Sequence, residues 1–190
     1  DPVFMGLTFI AGLGMASFFA FLASSSFLYI DHFGLTPTQY SLAFSFNAIG
    51  FFAASQAAAG LGARHGITRV IKGAVAGYAA GAAVLVLVTL AGVDNLPALM
   101  AMLFTTFAFL GLVIPTSMIL ALEEHGAIAG IASALGGTLQ MMLGALTIAI
   151  VSAVFDGTAL PMVGTIGACA LGALILSQTT LRRPSTAKRY

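Results

Sequence analysis

The chain has 190 residues, of which 59% are hydrophobic and 7% are charged, and its formal net charge at pH 7 is +1. An average soluble domain carries about 25% charged residues, so these few charges cannot cover a water-facing surface. The apolar residues form long uninterrupted blocks, and a block of about 20 residues spans a bilayer. The composition therefore excludes a soluble globular domain and predicts an integral membrane protein.

Six predicted transmembrane spans follow from the points where apolar stretches meet turn-forming residues. They cover approximately residues 3–30, 40–62, 73–93, 96–122, 127–155 and 158–181. Each span must be helical, because backbone polar groups in lipid need hydrogen bonds within the segment. We therefore expect an all-α transmembrane bundle over residues 1–181 and a basic tail over residues 182–190.

The first two predicted spans carry polar side chains among aromatic ones. Ser24 lies in a serine run surrounded by phenylalanines, and Asn47 has Phe44 and Phe51 three residues before and four residues after it. Polar groups in aromatic surroundings suit hydrophobic, weakly polar ligands. Alternatively, Asn47 makes an interhelical hydrogen bond that fixes packing, and the serines bond to their own helix backbone and bend it.

The third and fourth spans are marked by residues that shape helix packing. Gly73, Gly77 and Gly81 recur every fourth residue on the third span, which predicts a groove for close packing of a neighbouring helix. Pro115 lies deep in the fourth span and is followed by Thr116. Because proline removes a helix hydrogen bond, we expect a kink at this position.

The fifth span has one face that is both small and polar. Its members are Ser133, Gly137, Gln140, Gly144 and Thr147. Residues at these spacings share one helix face, and the opposite side carries leucine, isoleucine and valine. The polar face is expected to line a water-filled cavity or to pack against protein, and Gln140 is the strongest candidate for the cavity.

The distribution of charge predicts the orientation in the membrane. The basic residues form two groups, Arg64, Arg69 and Lys72 between spans two and three and Arg182, Arg183, Lys188 and Arg189 in the tail. Asp31, Asp94 and Asp156 fall in the loops of the other side. Since basic loops stay in the cytoplasm, six crossings place both termini there.

The acidic residues, the basic residues and the histidines all lie outside the predicted spans, and this limits the chemistry of the chain. Buried charges usually mark proton relays and ion sites, so we do not expect the chain to carry a proton-coupling step alone. An intramembrane serine protease would need a histidine inside the membrane, but His32, His65 and His125 are in predicted loops. We therefore do not expect an enzyme.

Two further features are interpreted as structural. Glu123 and Glu124 are expected to form a solvated cytoplasmic turn, or alternatively a gating salt bridge to a cytoplasmic arginine. The single cysteine, Cys169, lies in an apolar block and is expected to act as a small buried hydrophobic residue. No cofactor, metal ion or nucleic-acid partner is expected.

Two motifs resemble a known family of membrane carriers. The first runs from Tyr29-Ile30-Asp31 through Pro37 to Phe44-Ser45-Phe46-Asn47-Ala48-Ile49-Gly50. The second runs from Ile114-Pro115-Thr116 through Ala121-Leu122-Glu123 to Ala129-Gly130-Ile131-Ala132-Ser133-Ala134-Leu135-Gly136-Gly137-Thr138-Leu139-Gln140. In this order they resemble the seventh-to-eighth and the tenth-to-eleventh helices of Bcr/CflA-type drug resistance transporters of the major facilitator superfamily. The loop Gly60–Arg69 resembles the superfamily's cytoplasmic signature but lacks its usual acidic residue.

This resemblance implies a twelve-helix carrier of two six-helix halves, each a 3+3 inverted repeat, with this chain as the C-terminal half. It implies proton-coupled export of hydrophobic or cationic drugs by alternating access in the bacterial inner membrane. The implied substrate-cavity candidates are Ser24, Asn47, Phe51, Thr116, Ser133 and Gln140. The helix-packing candidates are Gly73, Gly77, Gly81, Pro115, Gly137 and Gly144, and the cytoplasmic gating candidates are Arg64, Arg69 and Glu123.

The expected partners are the lipid bilayer, a small hydrophobic drug and an N-terminal half that supplies the acidic proton site. Two alternatives remain open at the level of sequence. Two copies of the chain could pair as a half-size transporter of another small solute, or the chain could be a membrane interaction module that transports nothing.

Overall fold

The computed structural model describes residues 2–93, 95–123 and 126–181, and it is built from helices throughout. The helices are α1 Pro2–Ser26, which continues as a π-helical segment Phe27–His32, α2 Pro37–His65, α3 Ile67–Leu90, α4 Leu96–Glu123, α5 Ala129–Val154, which follows a short 3-10 turn Gly126–Ile128, and α6 Leu160–Thr180. Among these described residues, six helical segments are long and apolar enough to cross a membrane. The prediction of an all-α membrane protein with six spans is confirmed.

Some predicted features fall on residues outside the described part of the chain. These are the first residue Asp1, the loop residues Asp94, Glu124 and His125, and the basic tail at residues 182–190. The expectations for these residues remain predictions from sequence.

The connection between α2 and α3 is tighter than the sequence predicts. Gly66, with φ of 83°, separates the two helices alone, and its positive φ is a backbone conformation that side-chain-bearing residues rarely adopt. Arg64 therefore lies in the last turn of α2, and Arg69 lies in the first turn of α3. The helices extend past their apolar stretches because polar residues also form helix where the chain leaves the bilayer.

Helices α1 and α4 form the centre of the bundle. Helix α1 packs mainly on α5, α6 and α4, while α4 packs mainly on α2, α3 and α1, and α3 also contacts α6. Buried residues make up 61% of the most apolar stretch of α1 but only 22% of that of α2 and 28% of those of α3 and α5. Helices α2, α3 and α5 therefore each have a broad exposed face.

The glycines predicted to pack on the third span do not behave alike. A Cβ at Gly77 would overlap the ring of Phe109, and one at Gly81 would lie 2.8 Å from Oγ1 of Thr106, so both sit tightly against α4. A Cβ at Gly73 would meet open space. At 3.6 residues per turn, every fourth position drifts by about 40° around the helix, so Gly73 is turned away from the face that contacts α4.

The same contrast holds on the fifth helix. A Cβ at Gly144 would overlap the ring of Phe19 on α1, whereas at Gly137 it would meet nothing. The buried positions of α5 are Ala132, Gly136, Gln140, Gly144 and Val151. Gln140 and Gly144 belong both to this buried face and to the predicted small polar face. The other buried positions are neighbours of the predicted ones, as Ala132 is of Ser133 and Gly136 is of Gly137.

A buried pair of hydroxyl groups joins α1 to α3. Ser17 and Tyr78 are fully buried, and Oγ of Ser17 is hydrogen-bonded to Oη of Tyr78. Oγ of Ser17 also lies 3.2 Å from the carbonyl oxygen of Leu13. Ser17 therefore keeps a partner if the tyrosine hydroxyl is removed, whereas Tyr78 loses the bond described here if Ser17 is removed.

We expect Ser17→Ala to lower the free energy of unfolding more than Tyr78→Phe does. The expected difference is about 1–3 kcal/mol, because Ser17→Ala leaves the buried hydroxyl of Tyr78 without this bond. The coupling in the double variant is expected to be about 0.6 kcal/mol, as for other interhelical bonds in membranes. Thermal unfolding of the purified chain in detergent would measure both. A larger loss in Tyr78→Phe would contradict the assignment.

Candidate functional site

One polar cluster lies between the end of α1 and the start of α2. Nδ2 of Asn47 donates to Oη of Tyr29 at 3.4 Å and to the carbonyl oxygen of Ala43 at 3.2 Å. The amide is buried, and its Oδ1 atom has no hydrogen-bond partner among the described residues. A buried acceptor without a partner is costly, so this oxygen is the unsatisfied polar atom of the cluster.

A second pair of hydroxyls completes this cluster. Oγ of Ser25 lies 3.1 Å from Oη of Tyr40, and the rings of Tyr29 and Tyr40 are 6.0 Å apart between centroids. We call Ser25, Tyr29, Tyr40 and Asn47 the Asn47 cluster. It combines hydroxyl and amide groups from two helices within one small region.

Aromatic rings pack against the Asn47 cluster on its inner side. The ring centroid of Phe21 lies 5.7 Å from that of Phe44 in a stacked arrangement and 4.9 Å from that of Phe107 in an edge-to-face one. Phe21 also contacts the ring of Tyr29 at 6.4 Å. This surrounding of ring faces and edges suits a hydrophobic or cationic ligand.

The π-helical segment Phe27–His32 contributes Tyr29 to the cluster. Its wider turn is closed by the bond from the backbone N–H of Phe33 to the carbonyl oxygen of Leu28. Leu28 and Tyr29 both point inward and are buried. Such segments are rare in proteins and are found frequently at functional sites.

A second polar cluster lies between α1, α4 and α5. Nε2 of Gln140 donates to Sδ of Met118 at 3.0 Å, and a Cβ at Gly136 would lie 3.1 Å from Cε of Met118. Thr8 is fully buried, and its Oγ1 atom has no hydrogen-bond partner within the described part of the chain. We call Thr8, Met118, Gly136 and Gln140 the Gln140 cluster.

The two clusters lie at different depths in the bundle. The Gln140 cluster meets α1 at Thr8 and near Gly12, while the Asn47 cluster meets it at Ser25 and Tyr29. With a rise of 1.5 Å per residue, Gly12 and Tyr29 are about 25 Å apart along the helix. The two predicted cavity residues Asn47 and Gln140 therefore lie in separate clusters, and their role in a substrate cavity stays a prediction.

The remaining candidates in the spans differ in position. Ser24 is buried, and Phe51 is half-buried, with its ring stacked on Phe18 at 5.5 Å. Ser133 is exposed on α5. Thr116 is buried, and its hydroxyl donates to the carbonyl oxygen of Leu112 at 2.6 Å, so it is already engaged within its own helix.

Pro115 lies inside α4, as the sequence predicts, and neighbouring hydroxyl groups bond to the same stretch of helix. Oγ of Ser117 donates to the carbonyl oxygen of Val113 at 2.7 Å. Pro115 has no N–H to offer the carbonyl of Gly111. This stretch of α4 therefore lacks one backbone hydrogen bond of a regular helix.

The three gating candidates lie at the same end of the bundle. Arg64 ends α2, Arg69 begins α3 and Glu123 ends α4, and all three are exposed. All three therefore lie at helix ends outside the buried core, and their gating role stays a prediction.

Sequence reasoning missed several residues of the two clusters. The predicted span 40–62 begins at Tyr40, and Thr8 and Met118 fall within the predicted spans 3–30 and 96–122. Tyrosine at a span boundary, three residues after a proline, is a signal that could have indicated Tyr40. Thr8 and Met118 carry no such signal, because their role depends on which helices meet.

Comparison with known proteins relates the chain to a transporter. It is 29% identical over 162 residues to a protein of Bacillus subtilis (strain 168) described as "Uncharacterized MFS-type transporter YdgK". The match supports a relationship to the major facilitator superfamily. It covers 85% of this chain but only 40% of the relative. No family model matches the chain, and no solved structure matches it.

Proposed function

We propose that the chain is the C-terminal six-helix half of a proton-coupled multidrug exporter of the Bcr/CflA type. The observation that carries the proposal is the match to a transporter of Bacillus subtilis. The matched region covers 85% of this chain but only 40% of that transporter. The rest of such a carrier is long enough for a second bundle. Both termini would lie in the cytoplasm of a bacterium, with the bundle in its inner membrane.

The packing order of the helices supports an inverted repeat. Exchanging α1, α2 and α3 with α4, α5 and α6 turns the large contact of α1 with α5 into that of α4 with α2. It likewise turns the contact of α1 with α6 into that of α4 with α3. Two units of three helices related by a two-fold axis would give this pattern, which is the arrangement of repeats in such carriers.

The distribution of exposed polar residues indicates which face meets the partner half. Helices α2 and α5 expose polar side chains within their spans, namely Ser45, Gln56, Ser133, Thr138 and Ser152. Exposed positions in the middle of α3 and α6 are apolar or glycine, as at Ala80, Leu87, Leu171 and Ile175. Because polar groups are unfavourable in lipid, α3 and α6 would face lipid, and α2 and α5 would face the partner half and the cavity.

The mechanism follows from this placement. Drug would bind against aromatic rings and form a hydrogen bond either at Asn47 or at Gln140, which lie in separate clusters, while this bundle rocks against the partner half. Every described ionisable acidic, basic or histidine residue lies at a helix end or in a connection. The carboxylate that exchanges the proton is therefore assigned to the partner half.

Uptake of ethidium into inverted membrane vesicles would test this proposal. Vesicles with the chain alone are expected to show no uptake above empty vesicles. Vesicles that also contain the unmatched part of the Bacillus subtilis relative are expected to accumulate ethidium until a proton uncoupler is added. Proton-driven uptake by the chain alone would overturn the assignment of the proton site and indicate a homodimer. Absence of uptake from both, with both proteins folded, would contradict the proposed transport.

A further inference from the structure

A cleft of about 320 Å³ opens at the end of the bundle opposite Arg64 and Arg69. It is formed where the connections α1–α2, α3–α4 and α5–α6 come together. Its polar lining includes His32, Asn95 and Asp156. We call it the loop cleft. Its volume falls at the lower end of the range of about 300–1,000 Å³ that is usual for small-molecule sites.

The walls of the loop cleft are largely apolar. Phe33, Val93, Leu99 and Leu160 line it, and the ring of Phe33 meets that of His32 edge-to-face at 4.8 Å. An apolar cleft with a few polar groups at defined positions is the usual form of a site for a small organic molecule.

One negative charge is held in place at the cleft. Oδ1 of Asp156 accepts hydrogen bonds from the backbone N–H of Thr158 at 3.0 Å and from its hydroxyl at 2.6 Å. These bonds lower the pKa of Asp156 below its ordinary value of 3.8, because they stabilise the charged form. The carboxylate is therefore ionised at neutral pH and fixed against the rim of the cleft.

The surrounding charges favour a cation. Asp31 is exposed at the same end of the bundle, and the described basic residues Arg64, Arg69 and Lys72 lie at the other end of α3. This helix has 24 residues, so the two ends are about 36 Å apart, well beyond the screening length of about 8 Å at physiological salt. The negative charge of Asp156 is therefore not offset by any described lysine or arginine.

We propose that the loop cleft binds a small organic ammonium cation with an apolar body. The cation pairs with Asp156, and the apolar body packs against Phe33, Val93 and Leu160. A divalent metal ion fits less well, because the described residues hold no group of three metal-binding side chains. The site lies one helical turn beyond Tyr29 along the chain, and its occupation does not depend on the proposed transport function.

Binding of benzyltrimethylammonium to the purified chain in a neutral detergent would test the proposal by isothermal titration calorimetry. Saturable binding is expected, and Asp156→Asn should weaken it at least tenfold. Asparagine can still accept the bond from the N–H of Thr158, so the loop should keep its shape. Asp31→Asn serves as the matched control, since it removes the same charge at the same end but does not line the cleft.

A second variant tests the contribution of the cavity space independently of the charge of Asp156. Val93→Trp should fill the cleft while leaving Asp156 in place, and it is expected to abolish binding. The uncharged analogue neopentylbenzene is expected to bind at least tenfold more weakly than the cation. Absence of saturable binding, equal losses in Asp31→Asn and Asp156→Asn, or unchanged binding in Val93→Trp would each overturn the proposal. Because the purified chain is used alone, the result is independent of the uptake experiment.

Discussion

Replacement of Gly111 by alanine is expected to destabilise the bundle by about 2–3 kcal/mol, the upper part of the range for overpacked cores. A Cβ at Gly111 of α4 would overlap the carbonyl oxygen of Phe51 and lie 3.0 Å from its carbonyl carbon on α2. Both neighbours are backbone atoms, so no side chain can move aside. The two helices would have to separate where they pack most closely.

Thermal unfolding of the purified chain in detergent would measure this effect. A loss of about 2–3 kcal/mol corresponds to a fall in Tm of roughly 5–10 °C for a chain of this size. Gly73→Ala is the matched control, because it makes the same change in a helix where the added methyl group meets open space. That variant is expected to keep or slightly raise Tm, since alanine is the better helix former. Equal values of Tm for the two variants would contradict the close contact between α2 and α4.

The second large effect is expected at Asn47. In the vesicles that take up ethidium, a cation with hydrogen-bond donors, Asn47→Leu is expected to reduce ethidium uptake at least tenfold. A hydrogen bond to a charged group contributes about 1.5–3 kcal/mol, and about 1.4 kcal/mol corresponds to a factor of ten in affinity. The physical reason is that the Oδ1 atom of Asn47 is buried without a partner among the described residues, so a drug that reaches it when the bundle rocks would supply the missing hydrogen bond.

Tyr29→Phe distinguishes this role from a purely structural one. It removes the hydroxyl that receives the bond from Nδ2 of Asn47 but leaves the amide oxygen in place. If Asn47 served only to join the helices, Tyr29→Phe would reduce uptake as much as Asn47→Leu does. If the amide oxygen binds the drug, Tyr29→Phe is expected to retain most of the uptake, with both proteins present at wild-type levels in the membrane.

The candidate site could be predicted only in part from the sequence. Asn47 and Gln140 were singled out because a polar amide inside an apolar span is unfavourable in lipid and needs a partner. The partners themselves, Tyr29 and Met118, could not be predicted. They lie on other helices, and no local pattern records which helices meet.

The sequence pattern also could not predict which individual glycines make close contacts between helices. Gly73 and Gly77 belong to the same series of glycines at every fourth position. A Cβ atom added at Gly77 would meet Phe109, whereas one added at Gly73 would meet open space. Spacing defines a face of a helix, but the neighbour of that face is set by the packing of the whole bundle. The loop cleft was missed for a related reason, since His32, Asn95 and Asp156 come from three separate connections.

The sequence by itself determined that this protein is an all-α membrane protein with six spans. The reason is local, because each apolar stretch must form its own helix to satisfy its backbone in lipid. The tertiary structure decided that α1 and α4 are central, that Asn47 and Gln140 lie in separate clusters, and that the loops enclose a cleft. These features depend on contacts between residues far apart in the chain, where packing rather than hydrophobicity selects the neighbours.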